Sequence, residues 1–188
     1  MRIIAGEYRG RVLRAPQGLE TRPTTDRVRE SVMSSVFSAT RGFDGLRVLD
    51  AFAGSGAMGL EALSRGAAFA LLNDGAADAR RVLQDNVDAL GCTSAQAHVT
   101  SFDVLAGGLP RQGAPFDLVF LDPPYKTPQG DVLAMVSSAR EGGLLSEECL
   151  VVYEHDEPAD GAALGRLGLA LANERRLGKT YVSYILPS

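Results

Sequence analysis

The chain has 188 residues, a formal charge of −4, 45% apolar residues and 22% charged residues. That length suits one ordinary domain with a sizeable core, and the composition excludes disordered, collagen-like and disulfide-rich classes. No apolar run approaches the roughly 20 residues needed to cross a bilayer, and residues 1–6 lack the apolar stretch of a signal peptide. Cys92 and Cys149 have no CxxC spacing, so the expectation is a cytoplasmic protein in a reducing cytosol, without a structural zinc site.

The net charge conceals an asymmetry. Residues 1–41 hold eight Arg (2, 9, 11, 14, 22, 27, 29 and 41) against four acids, a balance of +4, which leaves −8 on the rest of the chain. All the bases of that segment are Arg, the side chain suited to bidentate phosphate contact. A basic segment beside an acidic body fits a polyanion-binding arm on an enzyme, or more simply a solvated charged surface.

In chain order, residues 1–23 contain Gly6, Gly10, Pro16, Gly18 and Pro23, which break a helix and favour short strands at 2–5 and 12–13, paired as a hairpin. Thr24, Thr25 and Asp26 are candidate N-caps. Beyond them Val28, Val32, Met33, Val36 and Phe37 fall on one helical face, closed by Gly42. Strand and helix then alternate. Strands are expected at 46–52, 67–72, 97–100, 116–121 and 149–154, and helices at 57–65, 76–90 and 129–140. Segments 167–174 and 181–186 read as a closing antiparallel pair. Repeated β-α units imply a parallel sheet with helices on both faces, whose ligands bind beyond the carboxyl ends of the strands.

Four such strand ends carry candidate chemistry. After the first, Gly54, Gly56 and Gly59 form a GxGxxG between strand and helix, and with Phe52 and Ser55 they point to a nucleotide-type ligand. Asp50 precedes them at the end of a buried strand, where an unpaired carboxylate is costly. The ammonium of an amino acid would be a natural partner, which favours S-adenosylmethionine over a dinucleotide whose pyrophosphate Asp50 would repel. After the second strand, Asp74 stands 20 residues beyond Gly54, placed either to accept from ribose hydroxyls or to N-cap the next helix. After the third, Asp103 is a candidate acceptor for an adenine amine with Phe102 beside the ring, or an ordinary loop acid.

The fourth, Asp122-Pro123-Pro124-Tyr125, is the most specific. The prolines stiffen the backbone and remove two N–H donors. What remains is an acceptor-only surface of a side-chain oxygen and carbonyls, suited to a planar NH2 group. Hydrogen bonds from both N–H groups of an exocyclic amine would aim its lone pair at a methyl donor. Tyr125 offers a ring for the target base, worth about 1–3 kcal/mol by base–aromatic stacking.

With these residues in hand the chain resembles the S-adenosylmethionine-dependent amino methyltransferases. Residues Arg2-Ile3-Ile4-Ala5-Gly6, Arg9-Gly10-Arg11 and Arg22-Pro23-Thr24-Thr25-Asp26-Arg27-Val28-Arg29-Glu30 resemble the RsmD-type family, as do residues 59–67, 152–154 and 178–180. The resemblance implies methylation of a guanine N2 in small-subunit (16S) ribosomal RNA. It implies a Rossmann-like α/β fold, with a seven-stranded, mostly parallel sheet and a short N-terminal extension. Residues 1–41 would be the RNA-binding extension and first helix, and 42–188 the catalytic domain. Asp50, Gly54, Gly56, Asp74 and Asp103 would surround the cofactor, and no metal is implied. Arg9, Arg11, Arg22, Arg27 and Arg29 would hold the RNA backbone of an assembling small subunit; since no edge or patch stands out in the sequence, a monomer is expected. Asp74 stands where the family more often has Glu, Leu177 where an aromatic residue is common, and Val32-Met33 where a Leu-Phe pair is usual. The rival readings are methylation of adenine N6 or of a glutamine amide, a nicotinamide-dependent oxidoreductase, and an RNA-binding factor without activity.

Overall fold

The computed structural model describes residues 1–16, 26–124 and 126–187, so Arg22 and Tyr125 lie outside the described residues. Seven strands are present: β1 (Arg47–Asp50), β2 (Phe69–Asn73), β3 (Ala97–Thr100), β4 (Phe116–Leu121), β5 (Leu145–His155), β6 (Leu169–Leu177) and β7 (Thr180–Pro187). They form one sheet in the order β3-β2-β1-β4-β5-β7-β6. The first five run parallel, and β7 enters antiparallel between β5 and β6. The strand order reverses between β1 and β4, so the chain leaves those neighbouring strands in opposite directions and opens a crevice at their carboxyl ends.

Among the described residues six helices cover the sheet: α1 (Asp26–Thr40), α2 (Ala57–Ser64), α3 (Ala77–Leu90), α4 (Val104–Gly107), α5 (Gln129–Glu141) and α6 (Gly161–Arg166). The central strands β1, β2 and β4 are largely apolar because both of their faces are covered, whereas the edge strand β6 is mostly exposed. In β4, Leu118 and Phe120 enter the core shared with α1, α2 and α3, whereas Val119 and Leu121 enter the opposite core with α4, α5 and α6. Gly91 ends α3 in the left-handed conformation, as its position implies. The short helices α4 and α6 escape the sequence reading, since one turn or so is too little for a 3.6-residue period to register. No helix among the described residues is long and apolar enough to cross a membrane.

On α1 the sequence reading is half right. Val32, Met33 and Val36 are buried, but Phe37 is 57% exposed and Arg29 is 0% exposed in its stead. The reason lies in Glu61 of α2, also 0% exposed. Its Oε1 accepts from Ala5 N at 3.0 Å and Arg65 Nε at 2.9 Å, and its Oε2 accepts from Ile4 N at 2.8 Å. Arg29 Nε stands 3.6 Å from Oε2, and Arg65 also reaches Glu30 at 2.6 Å. A buried carboxylate needs such partners, and it draws α1 and the N-terminal segment onto α2.

The same segment is sewn on further by backbone bonds. Ser64 accepts from Glu7 N and Tyr8 N, and Gly6 crosses so close that a Cβ there would lie 1.7 Å from the Ser64 carbonyl oxygen. Gly6 has φ 85°, a conformation that glycine adopts without strain. Arg2 and Val12 form the expected antiparallel bridge, and Ile3 and Leu13 join the core. Asn86 of α3 pairs with both backbone groups of Arg14 and donates to the Ser55 carbonyl at 2.8 Å. Residues 1–14 are thereby tied to the helices that flank the glycine turn. Replacing Glu61 by Gln keeps the shape but leaves two guanidiniums without their shared anion. A loss of about 3–5 kcal/mol is expected in urea melts, with faster proteolysis inside residues 1–16. An unchanged melting midpoint would show that Arg29 and Arg65 are satisfied without Glu61.

Candidate active site

The crevice between β1 and β4 opens into a cavity of about 730 Å³, within the usual size range for small-ligand sites. Its walls come from the ends of β1, β2, β4 and β5, the loop after β3, and α1 with Met1. Asp50, Phe52, Gly54, Ser55, Asp74, Phe102, Asp103, Asp122, Pro123 and Pro124 all line it. Gly56 does not; it forms the N-cap of α2 behind the turn, against Leu60 and Leu83.

The glycine turn carries the strand into α2 and leaves Gly54 with φ 55° and open space where a Cβ would sit, so backbone faces the cavity without cover. Asp50 is 5% exposed and its Oδ2 accepts from Gly59 N at 3.0 Å. Burial pushes its carboxyl up to about 7; the Gly59 bond opposes this, and the charges of Asp122 and Asp74 add to it.

Asp74 is not the N-cap of α3. That position is Ala76, which makes no side-chain cap. Instead Asp74 Oδ2 accepts from Gly54 N at 2.9 Å and Oδ1 from Ala76 N at 2.8 Å, so the acid braces the glycine turn against the end of β2. Asp103 caps α4 by accepting from Ala106 N at 3.1 Å, and Phe102 beside it is 46% exposed. Asp122 and Pro124 lie exposed at the end of β4, with Pro123 half-buried.

Among the described lining residues, five side chains are acids (Asp50, Asp74, Asp103, Asp122 and Glu154) and one is a cation, Arg29. Such a field attracts a cationic ligand and repels a pyrophosphate. A family profile described as Conserved hypothetical protein 95 matches residues 1–186. The chain is 37% identical over 161 residues to the Bacillus subtilis (strain 168) protein YlbH, covering 85% of each. It is also 37% identical over 157 residues to Ribosomal RNA small subunit methyltransferase D of Escherichia coli (strain K12), covering 83% of this chain and 75% of that one. The chain belongs to the RsmD-type methyltransferase family. The solved structure of the Escherichia coli protein yhhF agrees with it at a TM-score of 0.79 and 34% identity, over 98% of this chain and 96% of that one.

In this RsmD-type chain the proposed RNA-contacting arginines separate into two kinds. Arg9, Arg11 and Arg27 are exposed, and Arg11 Nη2 donates to the Ala89 carbonyl at the end of α3. Arg29 is a correction: it is buried, bonded to Asp26 at 3.0 Å and to the Arg2 carbonyl, and faces the cavity rather than solvent. A guanidinium so enclosed is out of reach of an RNA backbone. The sequence reading also passed over two residues. Asn73, buried at the end of β2, accepts from Phe102 N at 2.7 Å and donates to the carbonyls of Ala51 and Phe102, locking three strand ends together. Its signal was an amide closing an apolar strand, which must find partners. Glu154 lines the cavity from β5, and its signal was an acid ending the run Val151-Val152-Tyr153.

The raised carboxyl of Asp50 has a measurable consequence. An unfolded Asp titrates near 3.8, so the native state holds this proton more tightly, and the stability it contributes is lost as pH rises from about 4 through about 7. Asp50→Asn keeps an acceptor for Gly59 N and removes the buried charge. Without ligand, the variant is expected to gain on the order of 1–3 kcal/mol relative to wild type between pH 5 and pH 8 in denaturant melts. A difference between the two proteins that stays constant over that range would show that Asp50 titrates normally.

Proposed function

We propose that this chain transfers a methyl group from S-adenosylmethionine to the exocyclic N2 of a guanine in small-subunit ribosomal RNA, leaving S-adenosylhomocysteine as product and releasing one proton from the amine. The observation that carries the reading is one cavity joining the buried acid Asp50 to the acceptor surface of Asp122 and Pro123 across the strand-order reversal. The name of the Escherichia coli relative supports the RNA class, and the acidic lining favours a cationic cofactor over nicotinamide dinucleotide.

The residues present fit S-adenosylmethionine. Asp50 would accept from its ammonium, open backbone at Gly54 would lie against it, and Asp74 and Asp103 offer carboxylate oxygens for hydroxyl and amine donors. When bound, S-adenosylmethionine supplies a methyl group already activated by the sulfonium, so the protein's work is position and electrostatics. The Asp122 carboxylate and the Pro123 carbonyl would accept both N–H groups of the amine and aim its lone pair into the cavity. Tyr125 would stack on the base, which must leave its own stack to reach this surface. Arg9, Arg11, Arg22 and Arg27 would hold the backbone of RNA in an assembling small subunit, with a salt-dependent affinity. The enzyme would work as a cytosolic monomer and without metal.

The test incubates the protein with radiolabelled S-adenosylmethionine and small ribosomal subunits that lack native methylation, then digests the RNA to nucleosides. Label in N2-methylguanosine is expected. Label in N6-methyladenosine would keep the chemistry of Asp122 and overturn the acceptor. Asp122→Ala is expected to cut incorporation by about 10²-fold or more, while calorimetry shows cofactor binding intact. Full activity in that variant would remove Asp122 from the mechanism.

A further inference from the structure

The family resemblance assigns Arg29 to RNA, and the fold assigns it to the interior. Pairing with Glu61 accounts for its burial but not for all of its donors. Glu61 is already served by two backbone amides and by Arg65. Arg29 Nε, at 3.6 Å, makes an ion pair there but no hydrogen bond. Nη2 is used twice, on the Arg2 carbonyl and on Asp26. Among the described residues Nη1 meets only the Sδ of Met1, at 3.9 Å. A guanidinium has five N–H groups, and leaving its donors unspent in a buried place is costly.

The second donor comes from the glycine turn. Ser55 is 8% exposed, and its hydroxyl donates to the same Met1 Sδ at 3.3 Å. Its main chain is held by Asn86, so the hydroxyl stands on a fixed platform. Two buried donors, one charged, therefore converge on a thioether, which is a weak acceptor. Arg29, Ser55 and Met1 all line the cavity. The Met1 side chain is unbranched and part-exposed at 39%, so it can vacate that point at small cost.

We infer that Arg29 and Ser55 form an anion subsite for a single carboxylate, that of the amino-acid end of the cofactor. The inference rests on the S-adenosylmethionine reading of the cavity. One guanidinium edge and one hydroxyl match one negative charge, whereas the five acids of the lining oppose a phosphate. Asp50 begins the glycine turn and Ser55 lies within it, so an ammonium acceptor and a carboxylate donor pair line the same cavity. Arg29 thereby ties the cofactor's amino-acid end to Asp26 and Arg2, at the root of the arginine-rich segment. It is a cofactor-binding residue rather than an RNA contact.

The test is calorimetry on the full chain with two probes, S-adenosylmethionine and its decarboxylated analogue, which keeps the sulfonium and the ammonium. Wild type is expected to bind S-adenosylmethionine about ten- to a hundredfold more tightly, the worth of one charge-assisted contact. Ser55→Ala and Arg29→Lys, the latter keeping the charge beside Glu61, are expected to lose most of that preference and to bind the analogue as wild type does. Thermal melts identify folded variants, and Ser55→Ala keeps the test open if Arg29→Lys unfolds. Equal losses for both probes would make Arg29 and Ser55 structural and overturn the subsite, as would no loss for either. A folded wild type that binds neither probe would overturn the cofactor reading itself. Wild type that binds both equally would leave that reading standing and sink the subsite alone.

Discussion

The burial of Glu61 governs how this molecule is assembled. A carboxylate with no solvent access must be surrounded by donors, and here they come from three separate parts of the chain: the amides of Ile4 and Ala5, Arg65 on its own helix, and Arg29 on α1. Satisfying one acid thus fixes the N-terminal segment and α1 against α2, the helix that starts at the glycine turn. The arginine-rich segment is rooted at the edge of the cavity as a consequence. A hydrophobic contact would hold the same elements together without specifying their register, whereas directed hydrogen bonds to two oxygens fix it.

On the cavity side, the bracing is polar as well. Asp74 holds Gly54 N, Asn73 holds both backbone groups of Phe102, and Gly59 N holds Asp50. The ends of β1, β2 and β3 are therefore cross-tied. The acids serve two ends. They satisfy backbone donors, and the charges of Asp122 and Asp74 add to the burial that raises the Asp50 carboxyl to about 7. Such a site is poised to gain from a positively charged ligand, because the ligand relieves a repulsion that the fold itself created.

Much of this was legible in the chain. β3 and β4 begin and end at the residues that alternation and composition suggest, and Asp50, Asp74, Asp103 and Asp122 all reach the cavity because each ends or follows one of the parallel strands. What misled was α1. Its apolar spacing put Phe37 inside, while the buried position went to Arg29, since a side chain that pairs with a buried acid gains more there than a ring that can rest at the surface on Phe43. The brace function of Asp74 was equally hidden, because a carboxylate before a helix looks the same whether it caps that helix or reaches back to Gly54.

The sequence by itself determined the α/β class, the strand ends that carry chemistry and the family, because local periodicity and short motifs depend on neighbours along the chain. Only the tertiary structure decided which charges are spent inside. Glu61 and Arg29 are 57 and 27 residues from the N-terminal groups they bind, at Ile4 and Arg2. No pattern read along the chain shows a contact at that separation. Whether an arginine is exposed or lines the cavity is decided by what folding places beside it.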